Sequence, residues 1–473
     1  MGEIGRDAAA IRGTVPGIIE RMRREARPGR ASLDSATRSR LRRLTAELIM
    51  AKPDALSEHA RFLAVRQRGL AMPEDDLRPR LAGATILVTG GTGCIGSALL
   101  GQLALRAPER LVSVSRHGTP SWRHQSGAEF LRADIRDHSA LEALVRQVRP
   151  DIIFHVAAQR DPGLAEIEAH AAITTNVLGT SNVIAAAQAA GVPQVVYAST
   201  GKALRPYSPE VYTASKRAAE WLLADAATRG GLLCSAARFT HVVDNSIIYE
   251  RLLAWASPHG TRPGDRVPGR AEQVIRLHGP DIAFYVQSAR ESAQLLLLAC
   301  LGAAPGELRV HAITDLGIPV TLLDLALGVL ARTASPTPVY FSGYDAGYEQ
   351  APFPGLYDPL TAGDVSPLLN AFEASSAARS PSPEVDAARL QFAAGQQMTK
   401  HLKALAEDCE HTSTPARLKE RLRELSWSLL DASLRAAPRE ALRRSALQAR
   451  RHWDVMPPEH RRMLEAIEDL IEA

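Results

Sequence analysis

The chain has 473 residues, 45% of them hydrophobic and 5% aromatic, with a formal net charge of +4. That apolar content can bury more than one folding unit. The interspersed charges exclude an acidic tail or a dedicated nucleic-acid binder, and the aromatics are too few for base-stacking platforms. The four cysteines, Cys94, Cys234, Cys300 and Cys409, form no CxxC pair and stand at no metal-ligand spacing from a histidine. A reduced protein without a metal site is expected. Met1-Gly2-Glu3-Ile4 opens no signal-peptide core, and the longest apolar run, near Leu295 to Leu301, falls short of the roughly 20 residues of a membrane helix. The expectation is a cytoplasmic protein with a small-molecule substrate, no nucleic-acid or membrane partner, and a homo-oligomeric state.

Residues 1–80 show helical periodicity broken by Pro16, Pro28, Pro53 and Pro73, and read as a helical N-terminal extension. Their arginine clusters (Arg21, Arg23, Arg24; Arg38, Arg40, Arg42, Arg43) suit a solvated helix face better than an anionic partner. Residues 81–345 change pattern. Apolar runs of strand length at Thr85–Val88, Leu111–Val114, Ile152–Val156 and Gln194–Ala198 alternate with amphipathic helical stretches. Buried strands separated by helices predict an α/β fold, a doubly wound parallel sheet of Rossmann type with a smaller substrate lobe. Residues 346–384, rich in Pro, Gly and Ser, read as loop and linker. Residues 385–473 read as a helical C-terminal extension with no strand signal.

The first strand of the α/β region runs into Thr89-Gly90-Gly91-Thr92-Gly93-Cys94-Ile95-Gly96 and then a helix. Glycines there permit a tight turn and close backbone approach to a pyrophosphate, which the helix N-terminus also attracts. Strand before and helix after are the context that makes the motif specific. Gly90, Thr92, Gly93, Cys94, Ile95 and Gly96 are therefore candidate dinucleotide contacts. The second strand ends in Ser115-Arg116 rather than an acid. A basic group there accommodates the 2′-phosphate of NADP, so NADP is favoured over NAD, which stays open as the alternative. Asp134 and Ile135 stand where the adenine would lie, and Ala157 and Ala158 offer small side chains along the cofactor path.

Tyr212 and Lys216 share one helical face at a spacing of four. A lysine cation beside a phenol lowers its pKa and makes it a general acid/base. Thr200, ending the preceding strand, would hydrogen-bond the reacting oxygen. His155 and His311 lie in apolar strand contexts and read as packed core residues.

The stretch from about residue 84 to 360 resembles an extended short-chain dehydrogenase/reductase, nearest the polysaccharide-biosynthesis nucleotide-sugar dehydratases and epimerases (CapD-like). The resemblance rests on five blocks: Ser199-Thr200-Gly201-Lys202-Ala203, Tyr212 to Lys216, Arg238-Phe239-Thr240-His241-Val242, Asp281-Ile282-Ala283-Phe284-Tyr285, and Phe341-Ser342-Gly343-Tyr344-Asp345. Order and spacing match apart from about two extra residues between Thr200 and Tyr212. The resemblance implies hydride chemistry with Thr200, Tyr212, Lys216 and Lys202 as catalytic residues, and His241, Asn245 and Phe284 on the substrate side. The departures matter as much. Gly201 stands where the dehydratases carry an aspartic acid, and Phe284 and Asp345 replace arginines of the family pattern, one of which meets a nucleotide diphosphate; Arg262, Arg266 and Arg270 are nearby cations that read better as a solvated basic loop than as substitutes. The expected activity is NAD(P)-dependent epimerisation, dehydration or oxidoreduction of a sugar-like substrate, nucleotide-activated or not. The alternatives are a ketoreductase tailoring a natural product and a non-enzymatic cofactor sensor.

Overall fold

The computed structural model describes residues 14–117, 127–257, 274–344, 353–411 and 414–473. The chain divides into two compact units. The larger comprises Gly69–Thr240, Ala289–Leu316 and Glu349–Ala473; the smaller comprises Met1–Arg68, His241–Ser288 and Gly317–Tyr348.

Among the described residues, the larger unit is built on a nine-stranded sheet. Its strands in chain order are β1 (Thr85–Thr89), β2 (Arg110–Ser115), β3 (Glu129–Arg132), β4 (Ile152–His155), β5 (Gln194–Thr200), β6 (Leu233–Phe239), β7 (Leu308–Ile313), β8 (Ala378–Arg379) and β9 (Val385–Leu390). The spatial order is β8-β9-β7-β6-β5-β4-β1-β2-β3. Strands β1 to β7 pair in parallel throughout. Apolar runs such as Ile86–Val88 and Ile152–Phe154 have no exposed surface, as strands covered on both faces require. The order reverses between β2 and β4 on either side of β1, and such a switch point opens a crevice at the strand carboxyl ends. The doubly wound parallel sheet expected from the alternation is present.

The sheet extends beyond what the alternation shows. Strand β9 pairs antiparallel with β7 from Leu308↔Leu390 to Ile313↔Val385. Its sequence, Val385-Asp386-Ala387-Ala388-Arg389-Leu390, carries two charges that disguise it. The Asp386 carboxylate is buried, accepts from the Ser366 amide at 2.7 Å and meets Arg379. A partnered buried acid is tolerated in a strand where a lone one is not.

Three helices matter for the site: α1 (Cys94–Ala104), α2 (Val211–Arg229) and α3 (Pro415–Ala436). Helix α2 is buried on nearly all sides, packed on the sheet and covered by α3. Between them lies a cluster of four buried charges. Arg238 of β6 donates to both oxygens of Glu220 at 2.9 Å and to both oxygens of Glu373 at 2.6 and 2.9 Å. Arg217 donates to Glu220 and Glu373 at 3.2 Å and to the Ser433 hydroxyl of α3 at 3.1 Å. Arg238 also holds the Leu368 carbonyl at 2.9 Å. The stretch read as linker is thereby tied to α2.

In the smaller unit, the N-terminal helices Val15–Glu25, Ser35–Ala51 and Ala55–Ala64 share one core with Leu252, Leu325, Val329 and Tyr340. The Tyr340 hydroxyl donates to the Arg27 carbonyl at 2.9 Å and accepts from the Arg30 amide. Several of the clustered arginines pair on the outer faces, Arg21 with Glu47 and Arg24 with Glu20.

Breaking a buried ion pair leaves its partner charge without compensation. Glu373→Gln is expected to cost about 3–5 kcal/mol in urea unfolding; an unchanged midpoint would reject this role. Burial pushes the Glu373 carboxyl up, but Arg238 and Arg217 outweigh it and hold it below 4.5. Its contribution is therefore full above pH 4.5 and is lost as pH falls through the lowered value.

Candidate active site

At the carboxyl end of β1 the chain turns at Gly90, whose φ of +75° suits glycine. A Cβ at Gly90 would lie 2.7 Å from the Ala157 backbone, and one at Gly96 would lie 2.7 Å from Gly91 Cα. Turn, β4 end and helix α1 thus approach more closely than any side chain allows. Helix α1 starts after Gly93 with no side chain capping its amides, which leaves its positive end available to an anion. These features fit a dinucleotide pyrophosphate. Beneath the turn, the Thr89 hydroxyl accepts from the amides of Val156 and Ala157 and bonds His155 Nδ1 at 2.8 Å. His155 Nε2 meets Thr180 at 3.0 Å. Burial, with Lys216 adding, pushes His155 down to about 3. It is a neutral core clamp, as expected. His311 is likewise buried.

Ser115 ends β2 and Arg116 follows with its side chain exposed. Asp134, just after β3, pairs with Arg136 at 2.6 Å. That bond chiefly holds its carboxyl low, with Arg116 contributing. Ile135 is buried, and Ala157 and Ala158 are partly exposed after β4.

Thr200 ends β5, and Tyr212 and Lys216 occupy successive turns at the start of α2. The Val211 amide at that helix end donates to Glu166 at 2.7 Å. Burial pushes the Tyr212 phenol up, while the nearby Thr200 hydroxyl and the charge of Arg160 pull it back. Lys216 donates to the Ala198 carbonyl at 2.7 Å and lies 4.2 Å from the Tyr197 ring centre. Burial pushes Lys216 down to about 7, against the pull of Glu220. Thr200, Tyr212 and Lys216 thus converge in one unit, and sequence reasoning missed two of their supports. Arg160 is one. Asn176 is the other, on a π-helical turn at Thr174–Leu178. It accepts from the Gln159 amide at 2.8 Å and donates to Ser215 Oγ at 3.1 Å. A lone amide among Val177 and Leu178 was its only signal, and π turns often mark functional positions.

Lys202 is partly exposed beside Thr200 and donates to Glu210 at 2.9 Å. Gly201 is buried, and a Cβ there would lie 2.7 Å from Leu368 Cδ2. His241, Asn245 and Phe284 belong to the smaller unit. There His241 packs 5.0 Å from Phe284, ring centre to ring centre, and bonds Ser246 Oγ. Burial pushes His241 down to about 4. Arg262, Arg266, Arg270 and Asp345 lie outside the described residues.

A family model described as "Polysaccharide biosynthesis protein" matches residues 86–247. The uncharacterized membrane protein MJ1061 of Methanocaldococcus jannaschii is 30% identical over 257 residues, covering 52% of this chain and 72% of that one. The chain belongs to the polysaccharide-biosynthesis branch of the extended short-chain dehydrogenases/reductases, a family of enzymes. The probable polysaccharide biosynthesis protein EpsC of Bacillus subtilis is 25% identical over 300 residues, or 59% of this chain and 46% of EpsC. The chain therefore spans under half of that relative. The inverting UDP-N-acetylglucosamine 4,6-dehydratase of Campylobacter jejuni is 34% identical over 143 residues, 29% of this chain and 42% of that one. The structure of Pen from Bacillus thuringiensis shares the fold, with a TM-score of 0.51 and 20% identity over 65% of this chain and 87% of that one. Among the described residues no helix is long and apolar enough to cross a membrane.

Within this family fold, Leu368 takes the space into which a side chain at 201 would project. Gly201→Asp should cost about 1–3 kcal/mol by overpacking. In urea unfolding, Gly201→Asp with Leu368→Ala should lose less than the two single losses added together. Strict additivity would show that Leu368 does not occupy that space.

Proposed function

We propose that the chain is an NADP-dependent oxidoreductase acting on a carbinol or keto carbon of a sugar-like, nucleotide-activated substrate. The observation that carries this reading is the placement of Thr200 at the end of β5 and of Tyr212 and Lys216 one turn apart at the start of α2, in the unit that holds the glycine turn. Gly90, Gly93, Gly96 and the α1 amides would hold the dinucleotide, with Thr92, Cys94 and Ile95 beside the phosphates and Ala157 and Ala158 along its path. Ser115 and Arg116 would take the 2′-phosphate, and Asp134 and Ile135 the adenine. When bound, the cofactor supplies a hydride acceptor or donor.

The protein's own task is to move a proton at the substrate oxygen. Thr200 hydrogen-bonds that oxygen, and the Tyr212 hydroxyl gives or takes the proton there. Burial alone leaves Tyr212 a poor acid. Nearby cations favour its ionised form, and Arg160 already acts in that sense. Lys216, anchored on Ala198, adds a positive charge on the same helix face. Asn176 and Ser215 fix the backbone beneath, since Ser215 Oγ donates to the Tyr212 carbonyl at 2.8 Å. The name of the Campylobacter jejuni dehydratase supports a sugar-nucleotide substrate, and that of EpsC a part in polysaccharide synthesis. His241, Asn245 and Phe284 are the proposed substrate-side residues. Phe284 favours a second reading, an apolar natural-product ketone, because an aromatic ring there offers a diphosphate no charge.

Mass spectrometry of ligands retained by the native protein tests the substrate class directly. Tyr212→Phe should leave NADP affinity nearly unchanged and lower turnover roughly a hundredfold or more; wild-type turnover in that variant would move the proton to another residue. Because Gly201 cannot donate a proton, UDP-N-acetylglucosamine should show no loss of water. For the cofactor, calorimetry should find NADP tighter than NAD, and Arg116→Ala should narrow the gap by roughly tenfold. Equal binding of both cofactors by the wild type would reject the NADP assignment.

A further inference from the structure

The connection between Thr200 and Tyr212, longer than the family pattern by about two residues, brings a carboxylate into the site. Glu210 lies in that connection and is nearly buried, with 4% of its surface exposed. Its Oε2 accepts from Lys202 Nζ at 2.9 Å and from the Thr213 hydroxyl at 2.7 Å. Arg205 approaches its other oxygen at 3.9 Å. Its own amide donates to Ser208 Oγ at 3.2 Å. Burial pushes the Glu210 carboxyl up, but Lys202, Thr213 and Arg205 outweigh it and hold it ionised. It also stands at the N-cap of α2, where the helix dipole favours an anion. Lys202, by contrast, keeps 36% of its side chain exposed. The pair is thus a fixed, enclosed anion with a cation reaching outward beside Thr200.

We propose that Glu210 is a positioning residue that fixes the Lys202 ammonium as a hydrogen-bond donor to an oxygen on the carbon next to the one handled by Thr200 and Tyr212. This rests on the sugar-like reading of the site and sharpens it. The substrate class is one carrying oxygens on two adjacent carbons, a vicinal diol or hydroxyketone as in a sugar ring. An ammonium held by a carboxylate donates hydrogen bonds and is a poor base towards carbon. Lys202 therefore orients the substrate, and the proton that moves during hydride transfer is the one on Tyr212.

The test is acylation of Lys202 by acetic anhydride, followed by peptide mass spectrometry, in full-length wild type, Glu210→Gln and Glu210→Asp. Folding of each is checked by melting, and NADP binding by calorimetry. Without the carboxylate that accepts from Nζ, Lys202 should label about three- to tenfold faster in Glu210→Gln, while Glu210→Asp, which keeps a carboxylate acceptor, stays close to wild type. Should Glu210→Gln fail to fold, Thr213→Val, which loosens the same oxygen and keeps both charges, should give an intermediate rate. Equal labelling in all folded variants overturns the positioning role. In a second arm, UDP-N-acetylglucosamine with NADP should protect wild-type Lys202 and protect it less in Glu210→Gln. If NADP binds and the Lys202 rates respond to Glu210, yet the sugar nucleotide gives no protection, the ion pair stands while the nucleotide-sugar reading and the substrate contact fail. A thermodynamic effect without a labelling change, such as a lower melting point alone, counts against positioning.

Discussion

Arg238 has no exposed surface, and its guanidinium is shared between two carboxylates from distant parts of the chain. Glu220 lies on the helix that carries Tyr212 and Lys216, and Glu373 lies in a segment beyond residue 365. Charges this deeply buried are tolerated only when every one is met, because desolvation otherwise exceeds the gain. Arg217 brings the cluster to two cations and two anions, and the Ser199 hydroxyl donates to Glu220 at 2.6 Å. Ser199 precedes Thr200. The cluster therefore fixes, at once, the end of β5, helix α2, and the segment that presents Leu368 to Gly201. The placement of the candidate site residues thus depends on this charge balance.

The same cluster bears on the chemistry. Glu220 is one helical turn beyond Lys216 and opposes the depression that burial imposes on that lysine. A lysine near 7 sits where small changes of environment alter its charge, as catalytic groups often do. The carboxylate supporting it is in turn held by Arg238, whose other partner is Glu373. A residue far along the chain thus helps to set the electrostatics around Lys216.

Much of this was legible in the sequence. The glycine turn announced itself because strand, glycines and helix follow one another locally, and local patterns survive without knowledge of the fold. Tyr212 and Lys216 were legible for the same reason, a fixed spacing on one helix. Arg238, Glu220 and Glu373 were not, since nothing local says that three charged residues will meet in a core. Strand β9 was hidden by Asp386, whose partners Arg379 and Ser366 belong to the tertiary structure. Asn176 acts through a π turn, a backbone irregularity that apolar periodicity cannot report. Glu210 was overlooked because an insertion registers as a spacing error before it registers as a residue with a role.

The departures from the family pattern at the end of β5 form one coherent change. Removing an acid at 201 leaves a void unless something fills it, and interiors do not tolerate voids. Leu368 fills it, which requires the segment beyond residue 365 to be held close, and the Arg238 bonds to Glu373 and to the Leu368 carbonyl do that. Next to it, Lys202 has a carboxylate neighbour in Glu210, at the N-cap of α2. One edge of the reacting oxygen's surroundings is thereby hydrocarbon and the other an ion pair. Under the proposed roles such a site would orient a polar substrate and exchange a proton through Tyr212, while position 201, a glycine packed against Leu368, offers no acid. On the proposed reading, this arrangement suits hydride transfer better than loss of water, because glycine at 201 has no proton to give.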